Sequence, residues 1–187
     1  MTRHTAVGTT RRRVLLGTAA AVALAGCSGT DDRPEPISLT GAGSCDQCGM
    51  VIDQHPGPSG QTYYRAHSPE GHDPPARFCS TICTFRHRFA TQNRGWRPRV
   101  TYLTDYATVD YTVRQEGGAS VISAHLAAAD FAPTEDLVVV AGTDVEGAMG
   151  PALVPFSDRD RADEFATTYD GDVVAAEDIS QELVARG

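Results

Sequence analysis

The stretch ARFCSTICTFRHRFATQNRG, residues 76–95, runs from a strand into a helix and decides how the rest of the chain is interpreted. Ser80 is a good N-cap and Gly95 a good stop, so the sequence predicts a helix over about 80–91. A short strand is predicted just before this helix, at 76–78. Three apolar residues recur at helical spacing and are expected to face a core, namely Ile82, Phe85 and Phe89.

A second junction of the same kind lies nearer the C-terminus. ALVPFS, residues 152–157, leads into a helix predicted over about 158–169. This helix is expected to be capped by Ser157 or Asp158 and ended by Gly171. Both junctions fit the order strand, strand, helix, strand. The predicted fold class is therefore α+β, with two related small ββαβ units and antiparallel sheets.

The other predicted strands are short and bounded by turn residues. The run 137–140 is apolar without a break, which indicates a strand buried on both faces. The turn at 116–118, Glu-Gly-Gly, is typical of a hairpin. The two units are expected to cover about 45–105 and 106–187. Strands are predicted at about 50–53, 61–67, 99–103, 111–115, 120–123, 137–141, 152–156 and 172–175.

The composition indicates a folded and strongly acidic protein. The chain has 187 residues, 41% of them apolar, which suits one ordinary domain or two small ones. All 16 basic residues are arginine, and beyond residue 26 there are 12 arginines against 24 acids. Such a surface repels nucleic acid and anionic membranes, so neither is expected as a direct ligand.

Residues 1–26 are interpreted as a secretory signal peptide. The arginines at 11–13 precede an apolar or small run at 14–26, which is too short to span a bilayer. Adjacent arginines favour the twin-arginine route, which exports folded proteins. The chain is therefore expected outside the cytoplasm.

Cys27 closes the apolar run in the sequence Leu-Ala-Gly-Cys, which is similar to a bacterial or archaeal lipobox. Lipidation of Cys27 would anchor the protein to the outer face of the cytoplasmic membrane without spanning it. The alternative is an ordinary signal cleavage that leaves Cys27 free. Residues 27–44 are rich in Gly, Pro, Ser, Thr and acids and are predicted to be a flexible tether, with the folded domain at 45–187.

Four further cysteines form two pairs. Cys45 and Cys48 are separated by two residues, a spacing that lets both sulfurs converge on one ion through a tight turn. Cys79 and Cys83 are four apart, so a helix places them on one face, one turn from each other. A turn pair and a helix pair together are typical of four-thiolate metal sites. The spacing leaves open whether the pairs share one ion.

Three other interpretations of the cysteines remain. Paired cysteines in an exported protein also form disulfides that staple a fold. A thioredoxin-like thiol oxidoreductase would use Cys45 and Cys48, but no βαβ pattern surrounds them. The four cysteines could equally hold a structural Zn²⁺ that locks the first half of the domain.

Methionine favours copper over zinc as the metal. Met50 follows Cys48 after one glycine, and Met149 lies in a loop flanked by glycines. Thioether sulfur is a good ligand for Cu(I) and a poor one for Zn²⁺. The alternative for each methionine is that it fills a gap in the core.

The sequence has no catalytic set, because nucleophile motifs, phosphate-binding loops and zinc-protease helices are all missing from it. The protein is therefore not expected to be an enzyme. Of the histidines, His55 is the best candidate for an additional ligand, since it follows Cys48 and Met50 closely.

The chain resembles the NosL family at three places: Cys48-Gly49-Met50, the segment 55–61 (HPGPSGQ), and Met149-Gly150 followed by Pro155-Phe156. These are copper-chaperone lipoproteins linked to the maturation of nitrous-oxide reductase in denitrification. The resemblance implies two ββαβ-type units and Cu(I) held by cysteine and methionine, with Cys48, Met50 and Met149 at the corresponding positions. It also implies delivery of copper to nitrous-oxide reductase as the partner.

Two features depart from the family pattern. Some members carry a histidine two residues after the methionine that matches Met149, where this chain has Pro151. Cys79 and Cys83 are not general in the family and, with Cys45 and Cys48, resemble TRASH-type metal-binding motifs. The predicted metal ligands are therefore Cys45, Cys48, Met50, Cys79, Cys83 and Met149.

Overall fold

The computed structural model describes residues 1–2 and 33–185, and its regular elements lie in the second range. The strands are β1 (Gly60–Tyr64), β2 (Ala76–Phe78), β3 (Pro98–Thr104), β4 (Val113–Glu116), β5 (Ala119–Ile122), β6 (Phe131–Pro133), β7 (Val138–Ala141), β8 (Val145–Gly147), β9 (Gly150–Pro151), β10 (Val154–Phe156) and β11 (Asp172–Ala175). The helices are α1 (Thr81–Gln92), α2 (Arg159–Tyr169) and α3 (Gln181–Ala185).

Two ββαβ units repeat the same topology. In the first, β1 pairs with β2 on one side and β3 on the other, and α1 connects β2 to β3. In the second, β7 pairs with β10 and β11 in the same arrangement, and α2 connects β10 to β11. All four pairings are antiparallel, and the strand β6 extends the first sheet beyond β3. The predicted α+β class with two related units is therefore confirmed.

A third sheet has the strand order β4, β5, β8, β9. The hairpin of β4 and β5 was predicted from its glycine-containing turn. The strands β5 and β8 pair in parallel, in contrast to the antiparallel sheets expected from the sequence. Parallel neighbours need a long connection between them. Here that connection contains β6 and β7, which pair in the other two sheets.

The strand β7 separates two hydrophobic cores, as its unbroken apolar run predicted. Val139 packs in one core with Ile82 and Phe85 of α1, so this core joins the two units. Val140 packs in the other core, which also contains Phe165 of α2. Val139 and Val140 are each 0% exposed.

Some predicted elements were wrong or missing. The strand expected at 50–53 is a turn of 3-10 helix, Ile52–Gln54, and only Val51 makes a bridge, to Ser44. The elements β6, β8, β9 and α3 were not predicted. Each spans five residues or fewer, too short for an apolar period to be recognised in the sequence.

The predicted tether at 27–44 is also wrong over its described part. Leu39 is 0% exposed and its N–H donates to the carbonyl of Leu126. The buried amide of Gln61 both donates to and accepts from the backbone of Ile37, at 2.9 Å each way. Because the backbone of this polar segment is satisfied by the domain, the folded part begins before residue 45.

Residues 3–32, with most of the predicted signal peptide and Cys27, lie outside the described residues. Within the described part of the chain, none of the helices is long and apolar enough to span a bilayer.

Candidate metal centre

The first cysteine pair lies on a tight turn. The N–H of Cys45 donates to the carbonyl of Met50, and the N–H of Gly49 donates to the carbonyl of Cys45, both at 2.8 Å. Gly49 has a φ of 80°, a conformation that side chains with a Cβ rarely adopt. The turn leaves Cys48 exposed, whereas Cys45 is buried.

Asp46 fastens this turn to β2. Its Oδ2 accepts a hydrogen bond from the N–H of Arg77 at 2.6 Å, and its own N–H donates to the carbonyl of Arg77 at 2.9 Å. Its Oδ1 lies 3.0 Å from Nε2 of His72. The turn that carries Cys45 and Cys48 is thus attached to β2 at Arg77, two residues before Cys79. Sequence reasoning missed this role, although an aspartate inside a Cys-x2-Cys turn is well suited to accept from nearby backbone N–H groups.

The second cysteine pair spans the start of α1. Ser80 caps the helix as predicted, since its Oγ accepts from the N–H of Cys83 at 2.9 Å. The cap places Cys79 immediately outside the helix and Cys83 in its first turn. Their Sγ atoms lie 3.8 Å apart, and both residues are buried.

The two pairs meet at one point. The four Sγ atoms of Cys45, Cys48, Cys79 and Cys83 all lie within 4.8 Å of one another. Thiolates arranged tetrahedrally at about 2.3 Å from one ion stand about 3.8 Å apart, so the cluster has the dimensions of a four-sulfur metal site. All four cysteines are free thiols, and the pair Cys48–Cys79 at 3.5 Å is well beyond a disulfide bond of about 2.05 Å.

The thiols perturb one another's acidity. Hydrogen bonds from Cys79 and Cys83 hold the pKa of Cys45 far below its ordinary value. The same hydrogen bonds to Cys45, together with burial, raise the pKa of Cys79 and Cys83. A metal ion that binds all of these thiols must displace the protons of Cys79 and Cys83.

Both methionines lie against the core that contains the cysteines. Met50 and Met149 are partly buried and pack against the cluster that includes Cys45, Cys79 and Cys83. Met149 is at the tip of the β8–β9 hairpin. This tip lines a cleft with the first turn of α1, which includes Thr81. Since Met149 also packs against the core between the two units, core filling remains compatible with its position. The role of each methionine as a ligand stays a prediction.

The segment at 55–61 packs against the start of α1 and against the β8–β9 hairpin. The carbonyl of Pro58 accepts from the N–H of Thr81 at 3.1 Å. A Cβ on Gly57 would lie 2.7 Å from Cα of Gly147, so only glycine lets this loop approach the hairpin that carries Met149. Met50, the segment 55–61 and Met149 therefore lie around the start of α1 and the cysteines, whereas Phe156 packs in the core that contains Phe165 of α2. His55 is half-buried at the start of this segment.

His87 is a further residue that sequence reasoning did not single out. It follows Cys83 by one helical turn, and its Nδ1 lies 2.9 Å from the hydroxyl of Tyr64. Its ring packs 5.0 Å from that of Phe78 and 5.8 Å from that of Trp96. Burial lowers the pKa of His87 below its ordinary value. An aromatic layer with a neutral histidine thus adjoins the cysteine cluster.

Known proteins are similar to most of this chain. A sequence model of the NosL family matches residues 36–184. The copper-binding lipoprotein NosL of Stutzerimonas stutzeri is 28% identical over 179 residues, which cover 92% of this chain and 84% of that protein.

Two solved structures are similar as well. The crystal structure of the copper chaperone NosL from Shewanella denitrificans matches with a TM-score of 0.56 and 24% identity, over 74% of this chain and 90% of that one. The solution structure of apo-NosL from Achromobacter cycloclastes has a TM-score of 0.37 and 22% identity, over 67% of this chain and 87% of that one. The crystal structure bears out the fold. The relatives carry names of binding proteins and chaperones rather than enzymes, in line with the expectation from the sequence.

Proposed function

The chain belongs to the NosL family, and from that membership we propose that it is an exported, lipid-anchored metallochaperone that carries Cu(I) to nitrous-oxide reductase. The family match over residues 36–184 and the copper-binding relatives support the general role. The choice of Cu(I), the delivery partner and the anchor are the parts that belong to the proposal.

The observation that carries the proposal is the convergence of four thiol sulfurs within 4.8 Å. Thiolates are soft ligands that suit Cu(I), although Zn²⁺ also binds to them, so the choice of Cu(I) rests on the family and on the methionines. Met50 and Met149, packed against the same core, would supply additional soft sulfur. The first assignment of ligands is therefore Cys45, Cys48, Cys79 and Cys83, with the two methionines as candidates for the transfer path.

A chaperone must also release its metal, and the unequal exposure of the four cysteines supports this. Cys45, Cys79 and Cys83 are 3%, 1% and 0% exposed, whereas Cys48 is exposed on the tight turn. Because Cys48 is the exposed member of the cluster, a ligand from a receiving protein would approach the ion from its side. We infer that exchange begins there, with the incoming ligand replacing Cys48 while the buried thiolates still hold the ion.

The proposed location rests on the N-terminal segment. A twin-arginine signal at residues 1–26 and lipidation of Cys27 would place the domain on the outer face of the cytoplasmic membrane. The carbonyl of Pro34 accepts from the hydroxyl of Tyr102, so the proposed anchor at Cys27 would lie seven residues before this contact with the domain. Labelling of Cys27 with a clickable fatty acid in cells tests the anchor, with a Cys27→Ser variant as the control.

Competition for Cu(I) against bathocuproine disulfonate under anaerobic conditions tests the metal assignment. The chain is expected to withdraw Cu(I) from the chelator, and Cys48→Ser and Cys83→Ser variants are expected to withdraw less. Cys27→Ser is the matched thiol control and is expected to bind as the parent does. Equal retention of copper by all of these variants would overturn the cysteine assignment. Transfer to copper-depleted nitrous-oxide reductase, followed by separation and metal analysis, tests the partner.

A structural zinc site is the second candidate, because the same four sulfurs have tetrahedral dimensions and three of them lie inside a hydrophobic core. A site that locks the fold would make folding depend on metal. Thermal unfolding in the presence of a strong chelator separates the two functions. Unfolding at ambient temperature after chelation supports structural zinc, whereas a fold that persists without metal supports a carrier site.

A further inference from the structure

The charge of the chain is distributed very unevenly. Between residues 65 and 99 there are seven arginines and only two acids, Glu70 and Asp73. The rest of the chain beyond residue 26 holds five arginines and 22 acids. A basic region in so acidic a protein creates a strong charge asymmetry, and opposite charges across an interface favour and orient association.

Four of these arginines lie on or just after α1, beside two adjoining recesses. One recess, of about 450 Å³, is lined by Gln47, Arg86, Phe89, Ala90 and Asn93, together with residues of α3. The other, of about 300 Å³, is lined by Arg88, Asn93, Trp96 and Arg97, among others. Asn93 borders both recesses, and Gln47 directly precedes the exposed Cys48. We call the two recesses with Arg86, Arg88, Arg94 and Arg97 the arginine surface.

Three arginines of this surface form no ion pair with an acidic side chain of the described residues. The ion pairs found among residues 33–185 do not involve Arg88, Arg94 or Arg97. The guanidinium of Arg94 lies 5.7 Å from the ring of Trp96, and that of Arg97 donates to the carbonyls of Gln92 and Trp96. Their positive charge is therefore available to an external anion.

We propose that the arginine surface docks an acidic protein surface and thereby directs the metal-receiving site of that protein to Cys48. The inference rests on the proposed chaperone function. The recess beside Gln47 is lined by the apolar Phe89 and Ala90 as well as by Arg86, a mixture of apolar and charged surface that is typical of protein interfaces. An anionic lipid surface would also be attracted to arginine, but it offers no soft ligand to receive the metal, so a protein is the occupant that the arrangement fits.

Binding of a fluorescein-labelled peptide of ten glutamates to the metal-free full chain tests the docking alone. The double variant Arg88→Gln, Arg97→Gln is expected to bind the peptide at least about fivefold more weakly. Each charge at the rim of an interface contributes modestly to affinity, and the two contributions add. Arg114→Gln combined with Arg159→Gln removes the same charge at exposed sites on β4 and α2, and is the matched control. Far-ultraviolet circular dichroism establishes that both variants fold.

Equal weakening in the two double variants, or no binding of the acidic peptide to the parent, overturns the proposal. It is likewise overturned if phosphatidylglycerol vesicles bind through Arg88 and Arg97 while the peptide does not. This assay contains no metal, so its failure is distinct from a failure of Cu(I) binding in the chelator competition.

Transfer kinetics test the coupling of docking to release. Two synthetic peptides serve as acceptors of Cu(I). Both carry the same Cys-x2-Cys core, which is flanked by glutamates in one peptide and by serines in the other. The copper-loaded chain is expected to transfer Cu(I) to the acidic acceptor about tenfold faster at low ionic strength, an advantage that high salt removes. The Arg88→Gln, Arg97→Gln variant is expected to lose the difference. Equal rates for the two acceptors from the parent chain overturn the proposal.

Discussion

The Sγ of Cys48 lies 3.5 Å from the Sγ of Cys79, across 31 residues of sequence. Cys48 is exposed, whereas Cys79 is 1% exposed and belongs to the core around Phe78. The pair therefore links the surface of the protein to its interior within one sulfur cluster. The two residues should consequently respond differently to the same substitution.

Cys48→Ser is expected to weaken Cu(I) binding more than about tenfold, a cost of about 1.4 kcal/mol. The metal-free chain should lose less than about 0.5 kcal/mol of unfolding free energy, since the residue is exposed. Cys79→Ser buries a hydroxyl in the core and should cost about 1–3 kcal/mol even without metal. Urea unfolding and chelator competition measure the two effects. Equal losses of stability would contradict the division into surface and core thiols.

Asp46→Ala is expected to lower the unfolding free energy by about 1–3 kcal/mol, because the backbone N–H of Arg77 loses its acceptor. Metal affinity should fall too, since the carboxylate fixes the turn that carries Cys45 and Cys48. Asp53→Ala is the control, because that carboxylate accepts an exposed N–H, that of Gly41, at 3.1 Å. If both variants bind metal like the parent, Asp46 does not position the turn.

Gly57→Ala is expected to destabilise the domain more than Gly41→Ala. Both glycines have a positive φ, but only at Gly57 would the new Cβ meet backbone, 2.7 Å from Cα of Gly147. The Gly41 variant should cost about 1 kcal/mol from its conformation alone. Thermal melts of the two variants measure the difference. Identical melting temperatures would show that the loop and the hairpin do not need this close approach.

Leu39→Ala should cost about 2–5 kcal/mol, as expected for a fully buried leucine. Val51→Ala, at a side chain that is 36% exposed, should change the unfolding free energy by less than about 1 kcal/mol. The comparison tests whether the segment before Cys45 is part of the folded domain. Rapid proteolysis of this segment in the native parent chain would argue for the flexible tether instead.

The stability of the domain should depend on the protonation of His87. Burial lowers the pKa of His87 in the folded state below its ordinary value of 6.5, so the unfolded chain binds the proton more readily. Stability is therefore full above pH 6.5 and falls as the pH drops from 6.5 towards the lowered pKa. His87→Gln should show a smaller loss of unfolding free energy between pH 7.5 and 5.5. Parallel pH profiles would exclude this contribution.

Local patterns in the sequence were sufficient for much of the architecture. The helical spacing of Ile82, Phe85 and Phe89, with the cap at Ser80, predicted α1 to within about one residue at each end. The recurrence of that junction at 152–157 predicted the second ββαβ unit, and the cysteine spacings predicted one pair of thiols on a turn and a second pair on a helix. These features depend on residues close together in the chain, where helical periodicity and caps act directly.

Contacts between distant segments were decided only by the tertiary structure. No local pattern shows that Gln61 satisfies the backbone of Ile37, and so a segment with the composition of a linker was predicted to be a tether. The parallel pairing of β5 with β8 and the meeting of Cys48 with Cys79 likewise depend on how the two units pack. The sequence by itself determined the repeated unit and indicated which residue types are candidate ligands. The packing of the units decided which sulfurs meet, which one stays exposed, and that the arginines share one surface, because those outcomes depend on burial and on contacts across the whole chain.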